Sequence, residues 1–275
     1  MKILFISLGC DKNLVDTEKM LGILVQRGFS ITDDEQEADA VVVNTCCFIN
    51  DAKQESINTL LEMAQLRENG SIKALIAAGC LAQRYQEEIQ REIPEVDAIL
   101  GTTAIDVIAD TLDEVFCGKG QNHLEDINRS LTNADFSSKR IVTTGGHYAY
   151  LKIAEGCDKH CSYCIIPKVR GHYRSVPMEE LVQEAKQLVA SGVKELILVA
   201  QETTLYGVDL YGEKRLPELL RRLCAITGIY WIRILYCYPE EITDELIETI
   251  KSEPKICNYL DIPIQHASNT ILKRM

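Results

Sequence analysis

Cys157, Cys161 and Cys164 stand in the run EGCDKHCSYCIIPKVRG, residues 155–171. Their spacing is CxxxCxxC, and offsets of four and three let one short loop aim three thiolates at a single centre. A structural zinc site normally takes four protein ligands. Three thiolates suit three irons of a 4Fe-4S cube, with the fourth iron left without a protein ligand and open to a substrate or cofactor. Soft thiolates serve zinc and iron–sulfur alike. At this point two plainer readings stay open: three cysteines buried in a core, or a zinc site completed by His160 or by a residue elsewhere.

A second set emerges from the elements that carry it. Residues 2–9, KILFISLG, read as a buried strand, 16–27 as a helix stopped by Gly28, and 39–45, DAVVVNT, as a second strand. Residues 51–67 read as a helix with Ile57, Leu60, Leu61 and Ala64 facing inward. Residues 73–79, KALIAAG, read as a third strand, 85–92 as a helix and 97–101 as a fourth strand. Apolar runs alternating with amphipathic helices predict an open parallel sheet with helices on both faces. Cys10 follows the first strand, Cys46 the second and Cys80 the third. In such a sheet the three strand ends share one edge, where these folds place ligands. The sharp reading is a second 4Fe-4S cluster; the bland one is three unrelated buried cysteines. Asn13 and Asn44 either donate hydrogen bonds near that cluster or cap loops.

Strand-like character ends after Phe116, and the polar, aperiodic run from Gly118 to Arg140 reads as a linker. The expected organisation is an N-terminal domain over 1–120, a linker over 121–140 and a second domain over 141–275. In the second domain, strands at 148–154, 195–201, 231–237 and 259–265 alternate with helices at 178–191, 216–227 and 242–252, and another helix starts at Ala267. Four strand–helix units in one parallel order predict part of a TIM-like barrel, with its site at the C-terminal strand ends. The cluster cysteines, Gln201 with Glu202, Tyr236, and Gln265 with His266 all fall there. The fold class is therefore α/β: an open parallel sheet domain followed by part of a barrel.

CxxxCxxC with Tyr163 before the last cysteine resembles the radical S-adenosylmethionine (SAM) superfamily. The longer string GCDKHCSYCIIPKVRG is similar to its methylthiotransferase branch. GCDKNLVD (9–16), NTCCFINDAKQESI (44–57), TTLYGVDLYG (203–212, with Tyr206, Gly207 and Asp209) and DIPIQHAS (261–268) resemble members that modify a ribosomal protein. The tRNA-modifying members more often read GCQMN, NTCSVRE and PVQSGS at the first, second and fourth of these places.

The resemblance implies two 4Fe-4S clusters, on Cys10/Cys46/Cys80 and Cys157/Cys161/Cys164, the first involved in sulfur delivery. It implies SAM as cofactor, with Tyr163 beside its adenine. Glu202, at a strand end, meets the SAM amino group or else caps a loop, and Gln201, Gln265 and His266 lie near SAM or substrate. Cys46 keeps the family register, so Cys47 is a spare thiol or a competitor for iron. Lys168 and Arg170 offset cluster charge or contact a carboxylate, solvation alone being the plainer reading. The implied reaction adds a methylthio group to the β-carbon of an aspartate in small-subunit ribosomal protein twelve. An electron donor and a sulfur source are implied partners. No acid–base residue is assigned, because the cofactors carry the hard chemistry. Family members continue through the rest of the barrel into a small all-β domain, TRAM, which is expected to be absent here, so this chain reads as a possible fragment. Alternatives are a tRNA adenosine methylthiotransferase, a radical enzyme without sulfur insertion, and an iron–sulfur- or zinc-stabilised RNA- or protein-binding module.

Composition agrees. The 275 residues are 46% hydrophobic, and the net charge of −12 disfavours unspecific nucleic-acid binding. No apolar run approaches a membrane span. Met1 leads directly into a strand-like run, so no signal peptide is expected. The eleven cysteines then suit a reducing cytoplasm, as ligands rather than disulfides.

Overall fold

The computed structural model describes residues 1–124, 126–129 and 140–275. Much of the sequence assigned to the linker therefore lies outside the described residues. The chain forms two compact units, Met1–Ile141 with Lys168–Arg170, and Val142–Pro167 with Gly171–Met275.

The first unit is built on five parallel strands: β1 (Lys2–Ser7), β2 (Ser30–Thr32), β3 (Ala40–Thr45), β4 (Ala74–Ala78) and β5 (Ala98–Leu100), in the order β2-β1-β3-β4-β5. β3 and β4 are buried along their whole length, as continuous apolar runs in a sheet covered on both faces must be. Its helices are α1 (Asp11–Arg27), α2 (Asn50–Glu68), α3 (Gly79–Arg84), α4 (Gln86–Glu92) and α5 (Ile108–Phe116). On one face Ile3, Ala40, Val42, Ile76, Ala98 and Leu100 pack with Met20 and Leu24 of α1 and Ile108, Leu112 and Val115 of α5. α2 packs on β3 and β4 through Leu60, Met63 and Ala64.

Four expectations change here. α1 begins at Asp11, directly after Cys10, rather than at Asp16. Leu61 of α2 is exposed and Met63 takes its place in the core. α3 was not anticipated; it starts at Gly79, inside the segment read as the end of a strand. The last apolar run of the unit is helix α5, not strand, because Ile108, Leu112 and Val115 recur at spacings of four and three.

The second unit holds β6 (Tyr148–Lys152), β7 (Ala154–Glu155), β8 (Arg174–Ser175), β9 (Glu195–Val199), β10 (Trp231–Ile234) and β11 (Ile256–Leu260). β6, β9, β10 and β11 lie side by side, all parallel and in chain order. The helices α7 (Met178–Ala190), α9 (Leu216–Cys224) and α10 (Asp244–Ser252) connect them. Consecutive parallel strands joined by helices are the repeating unit of a β/α barrel. β7 and β8 pair antiparallel, Ala154 with Ser175 and Glu155 with Arg174, so the chain leaves and returns at one point around the cysteine run. Between them α6 (Ile166–Arg170) ends that run, and α8 (Val208–Tyr211) lies in the loop after β9. α11 (Asn269–Leu272) follows the last strand.

That last strand sits earlier than expected, at 256–260 rather than 259–265. Pro263 offers no N–H to a ladder, and it biases Ile262 away from regular pairing geometry. Among the described residues no helix is long and apolar enough to cross a membrane.

Candidate metal centres

In the first unit β1, β3 and β4 are adjacent, and register aligns Ser7 with Asn44 and Asn44 with Ala78. Cys10, Cys46 and Cys80 leave these three strands at the same edge. Cys10 caps α1, Cys46 follows β3 and Cys80 lies in the first turn of α3. Asn13 links them: its side-chain oxygen is 4.0 Å from Cys10 Sγ and 3.8 Å from Cys80 Sγ. Its Nδ2 donates to the carbonyls of Leu8 (3.1 Å) and Thr45 (3.0 Å), while Asn44 Nδ2 donates to the Asn13 carbonyl (2.9 Å). Both asparagine amides thus brace the loops, and only the Asn13 oxygen faces sulfur.

Cys46 is held by Ser56, whose Oγ accepts from the Cys46 N–H (2.9 Å) and donates to the Cys46 carbonyl (3.0 Å). A methyl group placed on Gly9 would meet Cys46 Sγ at 3.0 Å, so Cys46 lies against the turn that carries Cys10. Cys47 lies beside Cys80, its thiol donating to the Cys80 carbonyl at 3.3 Å. Burial raises the thiol pKa of Cys46 and Cys47, and pushes Cys80 up to about 12 against the opposing pull of the Arg170 guanidinium. Metal loading at Cys80 must therefore release a proton.

In the second unit Cys157 follows β7, and its N–H donates to the Gly171 carbonyl at 3.1 Å. The Cys164 N–H donates to the Cys161 carbonyl at 2.9 Å, closing the turn between these two ligand candidates. All three cysteines are partly exposed. Burial raises the Cys157 and Cys164 thiols. Tyr163 is exposed, and its hydroxyl bonds Gln265 Oε1. Gln265, His160 and Tyr236 are the non-glycine residues with positive φ among those described, at 61°, 49° and 59°. Such backbone strain concentrates where a ligand site over-determines the chain. His266 is exposed, with Nδ1 accepting from the Ser268 N–H at 2.8 Å.

Gln201 donates to Glu155 at 2.8 Å, and Glu155 pairs with Lys152 at 2.7 Å. The Gln201 Oε1 is buried with no hydrogen-bond partner. A buried orphan acceptor is rare enough to require an explanation, and a cationic donor such as an amino group supplies one. Glu202 is buried, its pKa raised by that burial; its Oε1 accepts from the Thr204 N–H (3.0 Å) and hydroxyl. It thus braces the loop after β9.

Among the described residues no three of His, Cys, Asp or Glu meet closely enough to share one metal ion. A cube does not ask for that, since each thiolate takes a different iron. The donor sets fit: three sulfurs per site, and in the second unit an orphaned polar acceptor on the strand after the cysteines.

Sequence reasoning missed the glycines. Gly9, Gly79 and Gly156 each precede a candidate cysteine and have φ of 97°, 88° and 80°. A Cβ on Gly156 would lie 2.0 Å from the His172 carbonyl oxygen, and one on Gly79 would lie 2.6 Å from that of Thr45. Both turns exclude any other residue. The thrice-repeated Gly-Cys pair was the available signal. Of the readings given for Arg170, the contact with a carboxylate holds: its side chain lies in the first unit, against Asp16 and also Cys80.

Residues 2–101 match the model of the uncharacterized protein family UPF0004, and residues 151–275 match that of the radical SAM superfamily. Two relatives are each named ribosomal protein uS12 methylthiotransferase RimO. The one from Lachnoclostridium phytofermentans is 67% identical over the whole chain, which covers 62% of that relative. The one from Clostridioides difficile is 53% identical over the whole chain, which covers 61% of it. The chain thus spans about three-fifths of the length of these relatives. Among solved structures, the radical SAM methyltransferase TsrM from Kitasatospora setae aligns with a TM-score of 0.64 at 13% identity, over 98% of this chain and 60% of that one. The cobalamin-dependent radical enzyme OxsB aligns at 0.58 and 12%, over 99% and 45%. These two likenesses speak for the fold alone. Residues 2–101 and 151–275 thus match the two family models at the places where the motifs lie, and along its full length the chain is similar to enzymes named as methylthiotransferases.

Proposed function

We propose that this chain carries the two cluster-binding units of an enzyme that adds a methylthio group to the β-carbon of an aspartate in small-subunit ribosomal protein twelve. The observation that carries the reading is the pair of separate cysteine trios. One lies at a shared edge of three adjacent parallel strands, the other in the loop closed by β7 and β8. The relatives' printed name supplies the ribosomal substrate.

In this reading Cys10, Cys46 and Cys80 hold one 4Fe-4S cluster. Cys157, Cys161 and Cys164 hold another and leave one iron to SAM. When bound, that cluster and SAM supply the radical chemistry an unactivated C–H bond needs, for which no histidine or carboxylate is a strong enough base. The residues around it bind and orient. The buried Gln201 oxygen would accept from the SAM amino group. Glu202 holds the loop behind it, with its bonds to Thr204 already formed. Tyr163 and Gln265, joined by their hydrogen bond, would hold the adenine side of SAM, with His266 next along the chain. A reductant and a sulfur source complete the reaction, in the cytoplasm.

The test is anaerobic incubation of the reconstituted protein with SAM, dithionite, sulfide, ribosomal protein twelve and tRNA, followed by mass spectrometry of the peptides and the nucleosides. A SAM-dependent methylthio group on one aspartate is expected. The same group found on tRNA adenosine, with none on the protein, would contradict the assignment.

A further inference from the structure

Arg170 is among the largest side chains in the molecule with essentially no solvent exposure. It belongs to the first unit. Its Nε donates to Cys80 Sγ at 3.3 Å, one terminal nitrogen to Asp16 Oδ2 at 2.7 Å, and the other to the Asn13 side-chain oxygen. That oxygen is the one shared by Cys10 and Cys80. A single guanidinium therefore touches one candidate ligand directly and reaches a second through Asn13. A buried cation needs a counter-charge, and Asp16, 4% exposed at its side chain, provides it.

The arrangement has a specific consequence once the cysteines are deprotonated. A thiolate cannot donate, so Cys10 and Cys80 give up any hydrogen bond to the Asn13 oxygen. Arg170 remains as that oxygen's donor and as an N–H donor to sulfur. Hydrogen bonds to ligand sulfurs and local net charge set the potentials of iron–sulfur clusters. Here the cation, not the carboxylate, touches the sulfur.

We propose that Arg170 is a positioning residue for the cluster of the first unit, raising its reduction potential through the Cys80 sulfur, with Asp16 as the opposing counter-ion. This rests on the reading that Cys10, Cys46 and Cys80 hold a cluster. Reduction adds negative charge to the cluster. Removing the cation disfavours that step, and removing the anion favours it.

The test uses the full chain with Cys157, Cys161 and Cys164 replaced by alanine, so that one cluster is present, and an anaerobic redox titration followed by electron paramagnetic resonance. Arg170→Gln should lower the reduction equilibrium constant about tenfold, or about 59 mV for one electron. Asp16→Asn should move the midpoint the opposite way. Asp16→Asn/Arg170→Gln, which removes both members of the buried pair together, is read if Arg170→Gln does not fold; it should still fall below the parent, because the N–H···S bond is gone. Full iron with an unchanged midpoint, or shifts of the same sign in the two single variants, would overturn the proposal. A parent without iron would instead overturn the cluster assignment beneath it.

Discussion

Replacing Cys157, Cys161 and Cys164 together with alanine is expected to halve the iron content and abolish reductive cleavage of SAM. Backbone contacts hold both ends of the loop. β7 and β8 clamp its ends, and the Cys157 N–H is bound to the Gly171 carbonyl. The turn at Gly156 admits no side chain. The triple variant should therefore keep its backbone, so lost iron reads as lost ligands rather than lost fold. The sulfurs are partly exposed and not core-packed, so the cost to stability should be small beside that of truncating a buried side chain. Iron analysis with a 5′-deoxyadenosine assay decides the matter. Full iron and intact cleavage in the triple variant would remove the assignment of this loop.

The second large effect separates two adjacent residues. Cys46→Ala should lose the iron of the first unit, about half the total, whereas Cys47→Ala should keep it. The two thiols have different surroundings. Cys46 lies against Gly9 beside Cys10, and the Cys47 thiol is committed to the Cys80 carbonyl. Losing that one weak S–H bond should loosen the edge without removing a ligand. Iron per chain and the visible absorption of the two single variants, compared in the background lacking Cys157, Cys161 and Cys164, check this. Equal losses would place both thiols at the cluster.

Much of this was legible in the sequence because the information was local. Runs such as AVVVNT and ALIAA could only be buried parallel strands, and a cysteine just past each of three such strands had to meet the others at one edge. Where the reading failed, either spacing within a run or distant partners decided. The segment 108–116 is apolar enough for a strand, but its spacing fits the groove beside α1. The strand expected at 259–265 was displaced by Pro263, whose effect on pairing depends on where the neighbouring strand ends. Arg170 stands six residues after Cys164, and of its readings the contact with a carboxylate is the one the structure shows, with a partner no spacing could name. Its partners Asp16 and Cys80 lie 154 and 90 residues away. The orphaned oxygen of Gln201 is likewise a property of packing that no spacing encodes.

The central claim is that one chain of this length holds two clusters on two separate cysteine trios. The most direct measurement is the iron and acid-labile sulfide content of the anaerobically reconstituted wild-type protein, with zinc determined in the same sample. The account predicts about eight irons and about eight sulfides per chain, with no stoichiometric zinc. About four irons, or one zinc per trio, would contradict it.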